Sequence, residues 1–187
     1  RQAIVIGLSI GHGYYHYRSD GLELSRQDCR RLDEAVRAIV GERRPIVREA
    51  LSYEDAIATF SAENLPRTAL LLRYDNRSRI PVDRCGSFAA PSHGPLMPHT
   101  GLLGAYEVRA YPPGLLLRFP ASGRPQSVPE FRDDPLLFAI YSEHAAWERV
   151  LAMNCVGRLN ETIDSGRLRD VIHVAEALQN KKIARIA

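Results

Sequence analysis

Six histidines and three cysteines are the side chains of this chain best suited to hold a metal or move a proton. His12 and His16 stand in the HxxxH spacing that supplies two zinc ligands from a helix. Gly13 and the run Tyr14-Tyr15-His16-Tyr17 instead predict a strand. Four strand residues span about 13 Å, too far for two bonds of about 2 Å to meet at one ion. His93 and His99 lie with Cys85 in an irregular stretch, where a His/His/Cys metal site competes with local hydrogen bonding or solvent exposure. His144 and His173 fall on or beside apolar helical stripes and read as packing residues.

Phosphoryl transfer through a GxxxxGK[ST] loop needs a lysine at the terminal phosphates. The lysines here, Lys181 and Lys182, sit together in a helical pattern with no glycine loop before them. The cluster Gly7-Leu8-Ser9-Ile10-Gly11-His12-Gly13 has the wrong spacing for a dinucleotide fingerprint and reads as a turn. A GxSxG nucleophile elbow is absent from the sequence, and Asp133-Asp134 reads as the start of a helix, not as a catalytic carboxylate pair. Tyr14, Tyr15 and Tyr17 beside Arg18 could stack bases, although a buried strand with tyrosine rims accounts for them equally. The most site-like stretch is Cys85 to Gly101, which is rich in Gly, Pro, Ser and His and shows no period. Pro91, Pro95 and Pro98 would stiffen it into a shaped surface.

Composition narrows the setting. Of 187 residues, 45% are hydrophobic and 25% charged, as in ordinary globular domains, and the length permits a real core. No apolar run reaches the roughly 20 residues a membrane helix needs, so no membrane partner is expected. The net charge of +3 does not announce nucleic-acid binding. All of the 25 basic residues except Lys181 and Lys182 are arginine, which fits either a GC-rich genome or a use of arginine forks on phosphates. Three widely spaced cysteines argue for a reducing, cytoplasmic compartment. The chain starts without Met and stops inside a helical pattern, so it is expected to be a piece of a larger protein.

Positioning elements follow from periodicity. Strands are predicted over 3–8 and Tyr14–Tyr17, with a turn at Gly11 and Gly13. Ser25 then caps a helix through Asp28, with Cys29, Leu32, Val36 and Ile39 inward. A strand Ile46–Leu51 precedes a short helix capped by Ser52, with Ala56, Ile57 and Phe60 inward. Leu70–Leu72 and Ile80–Val82 are expected to form a hairpin about Asp75-Asn76-Arg77, and Tyr106–Tyr111 with Leu115–Phe119 a second. Asp134-Pro135 opens a helix with Leu137, Ile140, His144, Trp147 and Leu151 on one face. Two more helices carry Val156, Leu159 and Ile163, stopped by Gly166, and then Leu168, Val171, Ala175, Leu178 and Ile183. The fold class expected is α+β: an antiparallel sheet packed with two helices over 1–121, then an all-helical tail over 122–187.

Several stretches in combination resemble a known family. Gly11-His12-Gly13-Tyr14-Tyr15-His16-Tyr17, Leu24-Ser25-Arg26-Gln27-Asp28 and Leu51-Ser52-Tyr53-Glu54-Asp55-Ala56 resemble the second additional, editing domain of threonyl-tRNA synthetases, which hydrolyses mischarged tRNA. Arg84-Cys85-Gly86, Gly94-Pro95-Leu96-Met97-Pro98-His99-Thr100-Gly101 and Gly114-Leu115-Leu116-Leu117-Arg118-Phe119-Pro120 extend the likeness to uridine-kinase-like proteins that carry this domain ahead of a phosphate-loop kinase. The resemblance implies an accessory segment of a uridine- or nucleoside-kinase-like protein. Its partner would be its own kinase domain, beyond Ala187, which would use ATP and Mg²⁺.

Departures from the family pattern bear on activity. The editing site's Asp-x-Cys-x-x-x-His string falls on Ala90, Ser92 and Leu96, its lysine on Arg67, and its helical HxxxH pair before residue 1. Methyl, hydroxyl and isobutyl groups neither hold zinc nor activate water. The segment is therefore expected to have no catalytic residue, metal or cofactor of its own. A cleft lined by Tyr14, Arg67, Arg84, His93, His99 and Arg118 is expected to bind nucleotide or RNA. The alternatives are a mischarged-tRNA deacylase and a pure protein-interaction module. Elemental analysis of the purified chain is expected to find no stoichiometric zinc; one zinc per chain would overturn the assignment.

Overall fold

The computed structural model describes residues 4–63 and 65–186, so residue 3 of the first expected strand lies outside the described residues. The fold is α+β, with antiparallel sheets and six α-helices among the described residues. Strands β1 (Ile4–Ser9) and β2 (Gly13–Arg18) pair antiparallel. Gly11 and His12, at φ of 51° and 59°, form the two-residue link. Ile10 and Gly13 close it with mutual N–H to carbonyl bonds of 3.0 Å, and positive φ at both central positions is what such tight hairpins require.

Helix α1 (Arg26–Gly41) and strand β3 (Ile46–Ser52) come next, followed by helices α2 (Tyr53–Ala62) and α3 (Pro66–Leu72). Strands β4 (Arg79–Cys85) and β5 (Phe88–Pro91) precede a 3₁₀ turn at Thr100–Leu102. The hairpin β6 (Glu107–Tyr111) and β7 (Gly114–Arg118) leads on to helices α4 (Pro135–Leu151), α5 (Val156–Asp164) and α6 (Leu168–Ile186). Instead of one sheet there are two, ordered β1-β2-β7-β6 and β3-β4-β5. No described helix is long and apolar enough to cross a membrane.

Two compact units result, each assembled from separated stretches of chain. The first holds residues up to Glu49 together with Pro81–Pro135, the second Ala50–Ile80 together with Leu136 onward. These contact boundaries run through β3 and β4, whereas the sequence division at 121 marks a change of composition.

In the first unit, α1 begins as expected. The Ser25 hydroxyl accepts from the Asp28 N–H at 3.1 Å and the Asp28 carboxylate accepts from the Ser25 N–H at 3.0 Å, a capping box worth about 1 kcal/mol. Cys29 packs with Leu24 and Leu115 under partly buried Leu32, Val108, Ala110 and Leu117.

Within the second unit, Ser52 caps α2, and Ala56 and Phe60 are fully buried. The expected hairpin at 70–82 is instead a helix, a turn and a strand. Pro66 sits in the first helical turn, and the following Ala and Leu residues are good helix formers without a β-branched side chain. On α5, Val156 and Ile163 are exposed, while Gly157 and Thr162 are buried. The stripe is turned because α5 meets α3 backbone to side chain. A Cβ on Gly157 would lie 2.9 Å from the Leu70 Cγ and 3.1 Å from the Leu71 nitrogen. Helix α4 follows expectation at its C-terminal end, where Trp147 and Leu151 are half-buried, and departs from it earlier: Leu137, Ile140 and His144 are exposed, and Phe138 and Tyr141 are half-buried. Along α6 the expected Leu168, Val171, Ala175 and Leu178 are half-buried. Ile183 is exposed, and Lys182 takes the inward position, paired with Glu143 and 5.6 Å from the Trp147 ring.

Gly157→Val is expected to destabilise the second unit by about 1–3 kcal/mol through overpacking. Trp147 is the sole tryptophan and lies in that unit, so denaturant unfolding followed by its fluorescence reads the change. An unaltered midpoint would rule out the close helix contact.

Candidate functional site

The first unit carries an open cavity of about 430 Å³ on β4, β5 and the loop that follows them. Asp83 and Cys85 enter it from β4, since residues two apart share a strand face. Phe88 and Ala90 come from β5, and His93, Pro95 and Leu96 from the loop. Phe88 and Leu96 are 51% and 60% exposed and give the cavity wall apolar surface open to solvent. Strand β5 itself lies inside the stretch expected to be irregular. It pairs antiparallel with β4 from Val82↔Pro91 to Cys85↔Phe88, and a proline is tolerated there because the strand is at the sheet edge.

Arg48 of β3 organises this site. Its Nε donates to one Asp83 oxygen at 2.9 Å and its Nη2 to the other at 3.3 Å. The same Nη2 also donates to the Gly94 carbonyl. One guanidinium thus joins two strands to the loop. Further bonds hold the loop: Ser92 N–H to the Pro81 carbonyl and Ile46 N–H to the Pro98 carbonyl, each 2.9 Å. Beyond it, the Thr100 hydroxyl donates to the Ile39 carbonyl at 2.7 Å. The stiffness inferred from three prolines therefore has hydrogen-bonded anchors behind it.

Asp83 is only 8% exposed. Its carboxyl is held below the usual carboxylate range, first by the Arg48 hydrogen bonds and then by the Ser92 hydroxyl, with burial acting in the opposite direction. It is therefore ionised at neutral pH.

The six sequence-predicted ligand residues are distributed unevenly. His93 lines the cavity. Arg84 follows Asp83 on the opposite strand face and pairs with Glu49 at 3.1 Å. His99 precedes the 3₁₀ turn and bridges to Pro45, with its Nδ1 buried and unbonded. Tyr14 is half exposed on β2. Arg118 is 1% exposed and bonded on all sides within the fold. Arg67 belongs to the second unit, where it lines a separate cavity. No group of three or more His, Cys, Asp and Glu side chains among the described residues is placed to share a metal ion, so Cys85, His93 and His99 do not form the alternative His/His/Cys set. Sequence reasoning missed Arg48 and Asp83. A charged residue directly after the apolar Ile80–Val82 run was the available signal, since buried strand positions admit an acid only with a partner.

No family model matches the chain. Over 107 residues it is 31% identical to the threonine–tRNA ligase of Acidithiobacillus ferrooxidans, a match covering 57% of this chain and 17% of the ligase. The likeness is to threonine–tRNA ligases. The ligase of Rhodospirillum rubrum is 31% identical over 102 residues, 54% of this chain and 16% of its own length. That of Streptococcus equi subsp. zooepidemicus is 28% identical over 105 residues, 55% of this chain and 16% of its own. The chain thus spans about a sixth of the length of the curated relatives it matches.

Arg48→Met should release Gly94 and lift the Asp83 carboxyl toward its ordinary value. A carboxyl with a depressed folded-state pKa stabilises the fold above its unfolded value of about 3.9 and loses that contribution as pH falls through the folded value. The stability gap between wild type and variant is accordingly expected to be full at pH 7 and to close only in acid below about pH 4. Denaturant midpoints across pH measure it; a gap that persists unchanged into strong acid would exclude the pairing.

Proposed function

We propose that this chain is a transfer-RNA-related binding module of a larger protein, whose first-unit cavity receives the aminoacyl end of a transfer RNA. One observation carries the proposal: Asp83 is a buried, ionised carboxylate on the wall of an otherwise largely apolar cavity. A carboxylate accepts about four hydrogen bonds. Arg48 and Ser92 occupy part of that capacity, and an α-ammonium group is the kind of donor that would take the rest. A cavity of about 430 Å³ suits a small amino-acid side chain against Phe88 and Leu96. Similarity to ligases that act on threonine and its transfer RNA supports the same substrate class.

The proposed role is binding without turnover, because the resemblance places Ala90, Ser92 and Leu96 where the editing site has Asp, Cys and His. Attachment to a uridine- or nucleoside-kinase domain that uses ATP and Mg²⁺ rests on the resemblance alone; the relatives named above are ligases of transfer RNA. Three free cysteines suit a reducing, cytoplasmic setting. A second reading, hydrolysis of mischarged transfer RNA, is favoured by one fact: Asp83, Cys85 and His93 line the same cavity.

A non-hydrolysable 3′-aminoacylamino-adenosine tests the proposal by calorimetry. Wild type is expected to bind it, and Asp83→Asn to weaken binding at least tenfold. Leu96→Arg, at an exposed wall position, should do the same by filling the cavity. Binding indifferent to both changes would sink the proposal. Turnover of mischarged transfer RNA that Cys85→Ala abolishes would establish hydrolysis in its place.

A further inference from the structure

The second unit carries a larger cavity, about 850 Å³, of whose lining residues the resemblance assigns a role to Arg67 alone. Helix α3 contributes Arg67, the end of α4 contributes Arg149, α5 contributes Arg158, and the turn into α6 contributes Arg167. Four guanidinium groups from four segments thus face one space, with Glu161 and Asp170 as the acids lining it. The chain as a whole carries only +3, so a large part of its positive excess is gathered here.

These arginines retain unused donors. Arg149 donates its Nε to the Ala145 carbonyl and Arg167 its Nε to the Ser165 hydroxyl, both at 3.2 Å. Each guanidinium has five N–H donors, so the terminal nitrogens that form a fork remain available. Arg158 pairs with Glu161 at 2.6 Å on an exposed helix face, an arrangement weak enough to yield to a stronger anion. In contrast, the buried Arg118 has its Nε and both terminal nitrogens bonded within the fold.

The chemistry that matches planar, always-charged forks around a roomy cavity is phosphate. Leu70 and Val174 add apolar surface on which a base or sugar can rest. The start of α5 opens onto the same space, and its cap residue Cys155 makes no side-chain bond to the helix. A volume of this order holds a ligand of nucleotide size. We propose that this cavity is a phosphate-recognition site for a nucleotide-sized unit, whether a free nucleotide or one stretch of an RNA backbone. The site is separate from the first-unit cavity, and phosphate binding here does not depend on aminoacyl binding there.

Titration calorimetry on the intact chain with inorganic pyrophosphate, ATP and a ten-nucleotide single-stranded RNA provides the test. Wild type is expected to bind pyrophosphate, and Arg149→Gln combined with Arg167→Gln to weaken it at least tenfold. Both positions are exposed, and Trp147 fluorescence reports whether the variant is folded. Should that pair fail to fold, Arg158→Gln, also at an exposed position, is expected to show a loss in the same direction. Arg149→Lys with Arg167→Lys keeps the charge without the fork and should retain only part of the affinity. ATP binding at least as tightly as the RNA identifies a free nucleotide as the source. Tighter RNA binding, with a salt slope that drops by about 1.4 in the double variant, identifies the backbone. The proposal is overturned if no probe binds, or if Arg30→Gln with Arg31→Gln on α1 weakens binding as much as the cavity pair does. Because pyrophosphate carries no aminoacyl group and the aminoacyl probe no phosphate, failure at one cavity is distinguishable from failure at the other.

Discussion

A guanidinium can leave water only where most of its donors find acceptors and its charge finds a partner. Arg118 meets that demand at 1% exposure, and the first unit is arranged around it. Its Nε donates to the Gly11 carbonyl in the β1–β2 turn at 3.2 Å, its Nη1 to Glu107 of β6, and its Nη2 to the Pro129 carbonyl at 2.6 Å. The Phe131 ring lies 5.1 Å from the same group, and Arg109 covers that ring at 4.4 Å. A turn, an edge strand and the segment leading toward α4 are therefore joined by one side chain from β7. An aliphatic residue there would leave the two carbonyls short of a partner and Glu107 paired with Arg109 alone, a penalty larger than the net worth of the bonds themselves.

The same chemistry recurs at lower burial. Arg48 joins Asp83 to Gly94, and Arg84 joins β4 to Glu49 of β3. Arg18 with Asp20 and Arg77 with Asp75 make local forks in turns. An arginine-rich composition therefore serves the architecture before it serves any ligand, because a planar fork ties a carboxylate and a carbonyl together in a way the compact lysine ammonium cannot. Against that background, the second-unit cavity differs in kind: its arginines come from four segments, and Arg149 and Arg167 use only their Nε within the fold.

The two units also differ in what holds them. In the first, a cysteine–leucine core lies between α1 and a four-stranded sheet. In the second, helices meet through small residues, with Gly157 of α5 set directly against Leu70 of α3. Large apolar groups such as Leu136 and Val150 on α4 remain about 70% exposed. Polar contacts, such as Lys182 with Glu143, help to position α4 and α6.

Local rules were legible along the chain. Ser25 with Asp28, Ser52 as the cap of α2, the Gly11 turn, the 106–119 hairpin and the Leu168–Leu178 stripe all follow from contacts within a few residues, where capping, φ preference and period act directly. What sequence could not decide was which face of a short helix turns inward and which distant charges meet. On α5 Leu159 stayed half-buried but Val156 and Ile163 turned outward, because a glycine allows backbone contact that a hydropathy pattern does not register. Arg48 and Asp83 stand 35 residues apart, and only the pairing of β3 beside β4 brings them together. Tertiary structure likewise sealed Arg118 inside the fold, left His93 at a cavity, and placed Arg67 in another unit. The physical reason is range: caps, turns and periods are encoded by neighbours in sequence, whereas the partner that makes a charge structural or available is chosen by packing.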